Sequence, residues 1–219
     1  MDLDRFFVVL SIAAIPVLLA ITLHEVAHGR MALRFGDRTA EQAGRLSLNP
    51  LRHIDPIGTV LVPALLLALG GFLFGWAKPV PVNAGRLRRP RQDMVWVAAA
   101  GPGSNLLMAL GWALVLSAVL KSGGGTAAEW LGSMASVGIY INLLLAVFNM
   151  LPIPPLDGGR VLSNLLPPSG LSRALDKVEP FGLFIVLGLV VTGILFKVLA
   201  GPIDWLQGML LGLVGVRGY

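Results

Sequence analysis

His24-Glu25-Val26-Ala27-His28 sets two imidazoles four residues apart around a carboxylate. On a helix that spacing stacks both histidines on one face, one turn above the other. Two imidazoles so placed bind a single zinc ion, and a glutamate beside them serves as base for water at the metal. The chain has only three histidines in 219 residues, so two of them at this spacing make a strong signal. A catalytic zinc takes three protein ligands and keeps one position open. The common extension of the pattern, a third histidine six residues beyond the second, fails because Arg34 stands there. Glu41, His53 and Asp157 are left as candidates for the third ligand. Asp157 is the strongest, at the proline-rich break in "NMLPIPPLDGGR". The same position also suits the N-cap of the short helix that follows, and spacing alone does not choose between the two roles.

These residues need elements to hold them, and the composition says which kind. Residues 6 to 23 are uncharged and almost wholly apolar, so the motif sits at the end of a membrane helix that runs roughly from Asp4 to Arg34 and carries Pro16. Over the whole chain 55% of residues are hydrophobic and 13% charged, about half the charge of a soluble domain. Further spans are predicted at Met94–Leu120, Trp130–Pro152 and Phe181–Phe196. Each is apolar over a length close to the ~20 residues that cross a bilayer. The segment Val60–Trp76 is apolar but broken by Pro63 and by Gly70-Gly71. The tail from Pro202 reads as an interfacial amphipathic helix. The fold class is an all-α polytopic membrane protein of about five to six membrane helices, one domain over residues 1–219. The apolar run enters His24-Glu25 without a cleavage site, which argues against a signal peptide.

The formal charge is +5 and there is no cysteine, so thiolate zinc sites are excluded. In a chain this apolar the basic balance reports orientation and anionic lipid rather than nucleic acid. Arg30, Arg34, Arg38, Arg45 and Arg52 form one basic segment, and Lys78, Arg86, Arg88, Arg89 and Arg91 another. The loop between the next two spans holds only Lys121. Lys and Arg gather on the cytoplasmic side, so the expectation is a multi-pass protein of the cell membrane with its site toward the cytoplasm. Segment 56–78 then dips in and returns with Gly70-Gly71 as its turn, or crosses once and returns extended.

"HEVAH" on one membrane helix, "AGPGSN" (residues 100–105) on another and "NMLPIPPLDGG" ending a third resemble, in that order, the site-2 protease family of intramembrane zinc metalloproteases. The pattern Asn-x-x-Pro-x4-Asp-Gly is matched by Asn149, Pro152, Asp157 and Gly158. "HIDPIGT" (residues 53–59) and "KPVPVN" (residues 78–83) are similar to its small prokaryotic branch without accessory domains. The resemblance covers about residues 5 to 200 and implies one zinc ion per chain on His24, His28 and Asp157. It implies Glu25 as general base and later proton donor, and Asn149 as hydrogen-bond donor to the substrate carbonyl or oxyanion. It places Gly101 and Asn105 in a helix-packing element or a substrate contact, and His53 at a gate, at substrate, or in a loop bonded to Asp55. It also implies a small membrane-embedded β-sheet near the active site, whose edge receives substrate. The implied activity is endopeptidase cleavage of transmembrane segments of membrane-protein substrates near the cytoplasmic face. The competing reading is a non-catalytic scaffold that binds transmembrane helices.

Overall fold

The computed structural model describes residues 3–61, 75, 77–167 and 170–216. Helix α1 spans Leu3–Arg34 and α2 is a single turn at Thr39–Gln42. Helices α3 (Pro90–Lys121) and α4 (Thr126–Asn149) follow. Then come α5 (Asp157–Leu165), α6 (Gly170–Val178), α7 (Gly182–Val191) and α8 (Ile194–Leu213). Among the described residues four helices are long and apolar enough to cross a membrane: residues 7–34 of α1, and α3, α4 and α8. The shortest has 20 residues, about 30 Å at 1.5 Å per residue. Five to six were expected, and most of the apolar segment Val60–Trp76 lies outside the described residues.

Helix α3 is the centre of the bundle and packs against α1, α4 and α5, while α4 also packs against α1 and α8. Its core sets alanines, which let backbones approach, against larger leucine and isoleucine side chains. Ala109 and Ala113 of α3 meet Ala135, Ile139 and Leu143 of α4 and Leu195, Leu199 and Ile203 of α8. The opposite faces carry exposed Phe7, Val9, Leu107, Leu114 and Leu213, as a lipid-facing surface requires.

Two expectations are corrected here. The span placed at Phe181–Phe196 is interrupted: α7 ends at Val191 and Gly193 turns left-handed at φ 70°, a conformation that glycine adopts without the Cβ clash. Helix α8 then starts at Ile194 and runs through Pro202 to Leu213. The tail expected to be a separate interfacial segment is therefore the second half of a helix long and apolar enough to cross a membrane. A proline inside a membrane helix is tolerated where its surroundings re-satisfy the freed carbonyl.

The small β-sheet is also absent among the described residues, and chemistry gives the reason. Residues 77–83 are extended, but Pro79 and Pro81 have no N–H to give to a ladder. Of the donors that remain, those of Lys78, Val80 and Asn83 are taken elsewhere. Lys78 N–H donates to the His53 carbonyl (2.9 Å), Val80 N–H to Glu25 Oε2 (2.7 Å) and Asn83 N–H to Asp37 Oδ2 (2.6 Å). Arg45 Nη2 donates to the Lys78 carbonyl at 2.6 Å. Asp37, fully buried just past α1, also accepts from the Thr39 N–H (2.9 Å) and hydroxyl (2.5 Å). Burial pushes its carboxyl up, but the bonds from Thr39 and Asn83 and the nearby Arg86 charge outweigh that and hold it below the usual carboxylate range. The segment is thus fastened to α1 through Glu25, to the turn just past α1 through Asp37, and to the His53 loop through Lys78. The proposed re-entrant turn at Gly70-Gly71 lies outside the described residues.

Candidate metal centre

Both histidines leave α1 on the face that packs against α3, their rings edge to face with centroids 4.7 Å apart. His24 Nδ1 lies 2.6 Å from Asn105 Oδ1, and His28 Nδ1 lies 2.7 Å from the Val97 carbonyl oxygen. Both partners accept, so each Nδ1 carries the proton and each neutral ring offers a lone pair at Nε2. Those two Nε2 atoms are 3.0 Å apart, and Asp157 Oδ2 is 3.3 Å from each.

Three lone-pair atoms converging in this way repel one another unless a proton or a metal ion lies between them. Their spacing fits zinc: ligand atoms about 2.0–2.1 Å from a tetrahedral ion lie about 3.3–3.4 Å from one another. Asp157 Oδ2 is buried and has no hydrogen-bond partner, an orphan that a metal bond resolves.

Asp157 is the first residue of α5, with Leu156 as the N-cap and no side-chain capping bond. Its carboxylate is turned to the histidines, so the N-cap alternative is not the one adopted. What brings it there is the loop before it. A Cβ at Gly158 would strike the carbonyls of Met150 and Leu151, so the turn from α4 into α5 closes only over a residue without a side chain. On the other side, α3 passes so near the metal ligands that a Cβ at Gly101 would strike His28 Nε2 and approach His24 Cε1 to 2.7 Å.

The remaining expected residues fall in different places. Glu25 is half-buried beside the histidines and accepts the Val80 N–H. No Lys or Arg pairs with it among the described residues. Asn149 ends α4, its side-chain amide donating back to the Leu145 carbonyl at 2.9 Å. Asn105 is fully buried; rather than facing substrate, it spends its oxygen on His24 and its amide N–H groups on the Ala20 carbonyl (3.2 Å) and Asn142 Oδ1 (2.9 Å). His53 is buried and bonds the Ser47 carbonyl at 2.9 Å. Asp55 instead accepts from the N–H groups of Ile57 and Gly58. Glu41 pairs with Arg38 at 2.7 Å, on the exposed surface. The ligand cluster among the described residues is His24, His28 and Asp157. Sequence reasoning missed Asn142, although a lone amide in the middle of an apolar span is a signal that a buried partner must exist.

Between residues 79–84 and α5 lies a cavity of about 390 Å³, lined by Pro79, Val80, Val82, Met94, Gly159 and Arg160 among others. One wall, Val80, touches Glu25; the other belongs to the helix that begins at Asp157.

Comparison with known proteins agrees with this geometry. A model described as peptidase family M50 matches residues 118–193, the stretch that carries Asn149 and Asp157. "Putative zinc metalloprotease YwhC" of Bacillus subtilis is 39% identical over 197 residues, which cover 87% of this chain and 86% of that protein. "Putative zinc metalloprotease Rip2" of Mycolicibacterium smegmatis is 35% identical over 179 residues, covering 80% of this chain and 64% of the relative. "Putative zinc metalloprotease MJ0611" of Methanocaldococcus jannaschii is 44% identical over 66 residues, 30% of this chain. No solved structure matches this chain. With four membrane-length helices and a three-ligand cluster behind the match, the chain belongs to peptidase family M50, the site-2 protease family, and is a multi-pass membrane zinc metalloprotease.

Proposed function

We propose that this chain is an intramembrane endopeptidase that cuts transmembrane segments of membrane-protein substrates near the cytoplasmic face, with one zinc ion on His24, His28 and Asp157. The observation that carries the reading is the convergence of His24 Nε2, His28 Nε2 and Asp157 Oδ2 within 3.0–3.3 Å at the end of a membrane helix. Zinc bound there supplies Lewis-acid polarisation of a peptide carbonyl and acidifies water.

The other roles follow from placement. Glu25, one residue from His24, takes the proton of the attacking water and returns it to the leaving amine. The Val80 N–H holds its carboxylate at one wall of the neighbouring cavity. Asn149, eight residues before Asp157, donates to the carbonyl oxygen as charge develops, an interaction worth about 2.7–4 kcal/mol in a dry site. One hydrogen of its NH₂ is held by the Leu145 carbonyl, and the second is the one left to donate. A substrate helix hides its peptide bonds, so it must unwind to present one. The cavity beside residues 79–84 is the space for that extended stretch.

Replacing Asp157 tests the assignment. Asp157→Ala leaves two imidazoles for the metal and should lose stoichiometric zinc and all measurable cleavage of a transmembrane substrate. Full zinc content with full activity in that variant would sink the ligand set. Asn149→Ala, in the same assay, should keep its zinc and slow cleavage about 10²–10³-fold.

Orientation in the cell membrane rests on the two arginine-rich segments. Placed at the cytoplasm, they put residues 121–129 outside. Gly124→Cys should react with a membrane-impermeant thiol reagent added from outside. Labelling only from the cytoplasmic side would reverse the topology and move the site to the other face.

A further inference from the structure

We infer that Asn142 is a positioning residue for His24: it fixes the direction of a buried hydrogen-bond chain that decides which imidazole nitrogen is offered to the metal. The inference rests on the proposed role of His24 as a zinc ligand.

The chain runs across three helices. Asn142 Nδ2 on α4 donates to the Gly138 carbonyl one turn back (2.8 Å). Asn142 Oδ1 accepts from Asn105 Nδ2 on α3 (2.9 Å), and Asn105 Oδ1 accepts from His24 Nδ1 on α1 (2.6 Å). Both asparagines are fully buried, so water cannot substitute for a missing partner.

The direction follows from elementary chemistry. A backbone carbonyl can accept but never donate. The Gly138 carbonyl therefore obliges Asn142 to present its NH₂ there and its oxygen to Asn105. Asn105 must then present its own NH₂ to Asn142 and, at the same time, to the Ala20 carbonyl (3.2 Å). Its oxygen is left for His24, which has to answer with Nδ1–H and keep the Nε2 lone pair free. If Asn105 were turned over, its oxygen would face two acceptors, Ala20 O and Asn142 Oδ1, and its NH₂ would face the proton of His24. Without Asn142 only the longer bond to Ala20 opposes that inversion. His28 needs no such relay, because the Val97 carbonyl sets its Nδ1–H directly.

Packing keeps the chain in reach. A Cβ at Gly138 would lie 2.5–2.6 Å from the Trp112 indole, so α3 and α4 approach closely enough for two asparagine side chains to meet only because that position is glycine. Asn142 bonds Asn105 and the Gly138 carbonyl rather than His24, His28 or Asp157, and acts through Asn105.

The test measures metal binding and requires no turnover. Zinc affinity is read by competition with a chromophoric chelator, and ligand geometry from the d–d spectrum of the cobalt-substituted protein. Asn142→Leu should raise the zinc Kd about 10- to 100-fold, the usual effect of losing an outer-shell partner, and should alter the cobalt spectrum. In an Asn105→Leu background the same change should add nothing, since the relay is already cut. Ser117→Ala, which removes another buried interhelical bond (to the Val214 carbonyl, 2.8 Å) far along α3, should leave both readouts as in the parent. Asn142→Ala answers the same question should the leucine variant not fold. Wild-type Kd and spectrum in the Asn142 variants, or effects that multiply with Asn105→Leu, would overturn the inference while the zinc site stands. Parent protein that binds no zinc would overturn the site itself.

Discussion

Glu25→Gln is expected to abolish cleavage and leave the zinc in place. Glutamine keeps the length and polarity of the side chain and its carbonyl oxygen can still accept the Val80 N–H. None of the three ligand atoms is touched, and the bonds that hold the two Nδ1 atoms, to Asn105 and to Val97, are untouched as well. What is lost is basicity. A positioned proton acceptor contributes about 10²–10⁴ in rate, and here the same group serves twice, first taking the proton of water and then giving it to the leaving nitrogen. The loss should therefore reach or exceed the top of that range. Zinc content, measured on the purified variant, should equal the parent's. Cleavage within a few-fold of the parent would exclude Glu25 as the base. Loss of zinc would instead assign Glu25 to holding the 77–83 segment against α1. A substrate whose scissile bond is bound but uncut should be recoverable with the variant, which gives a route to the cellular substrate.

Much of this centre could be read from the residues. The HExxH spacing fixes which helix face is used, and a membrane helix leaves that face few polar neighbours to choose from. The third ligand was one of three candidates by spacing. The structure brings Asp157, rather than Glu41 or His53, to the two histidines, because a glycine at 158 lets the chain fold back over the Met150 carbonyl, a fact of close approach that no spacing rule contains. Glu41 pairs locally with Arg38, and His53 bonds the Ser47 carbonyl through Nε2 while its buried Nδ1 has no hydrogen-bond partner among the described residues. The spans α1, α3 and α4 were visible as uninterrupted apolar runs. The region after Asp157 was misdivided, since hydropathy does not distinguish a glycine inside a helix from one in the left-handed turn at Gly193 that separates two helices. The extended piece at 78–83 was recognisable from its alternating prolines, but those same prolines remove the donors a sheet needs. The role of the polar atoms in the helices was hidden for a different reason. A polar residue in a span announces that it has a partner, yet not which one, and Asn105 and Asn142 are 37 residues apart in sequence.

The smallest substitution with a large expected effect is Gly101→Ala. Its added methyl group would lie on His28 Nε2, within 2.5 Å of His28 Cε1 and 2.7 Å of His24 Cε1, distances no real Cβ keeps. Relief by moving the rings is costly, because each is tied at Nδ1 to a group on α3 itself: His24 to Asn105 and His28 to the Val97 carbonyl. Relief by moving α3 away from α1 stretches those same two bonds and opens a core in which Val97 and Ala98 are buried. Overpacking of this kind costs about 1–3 kcal/mol, and here it falls on the metal-binding atoms. Zinc affinity should drop by at least 10- to 100-fold, as for a lost outer-shell contact, and cleavage should become undetectable. Gly103, two residues along the same helix, is the internal control. A Cβ there meets nothing within 4 Å, and alanine is the better helix former by up to about 1 kcal/mol, so Gly103→Ala should keep parental zinc and activity with equal or higher thermal stability. Two glycines in the same "GPGSN" stretch are thus assigned opposite outcomes. Equal behaviour of the two variants would mean that α3 does not pass as close to the histidines as the fold requires.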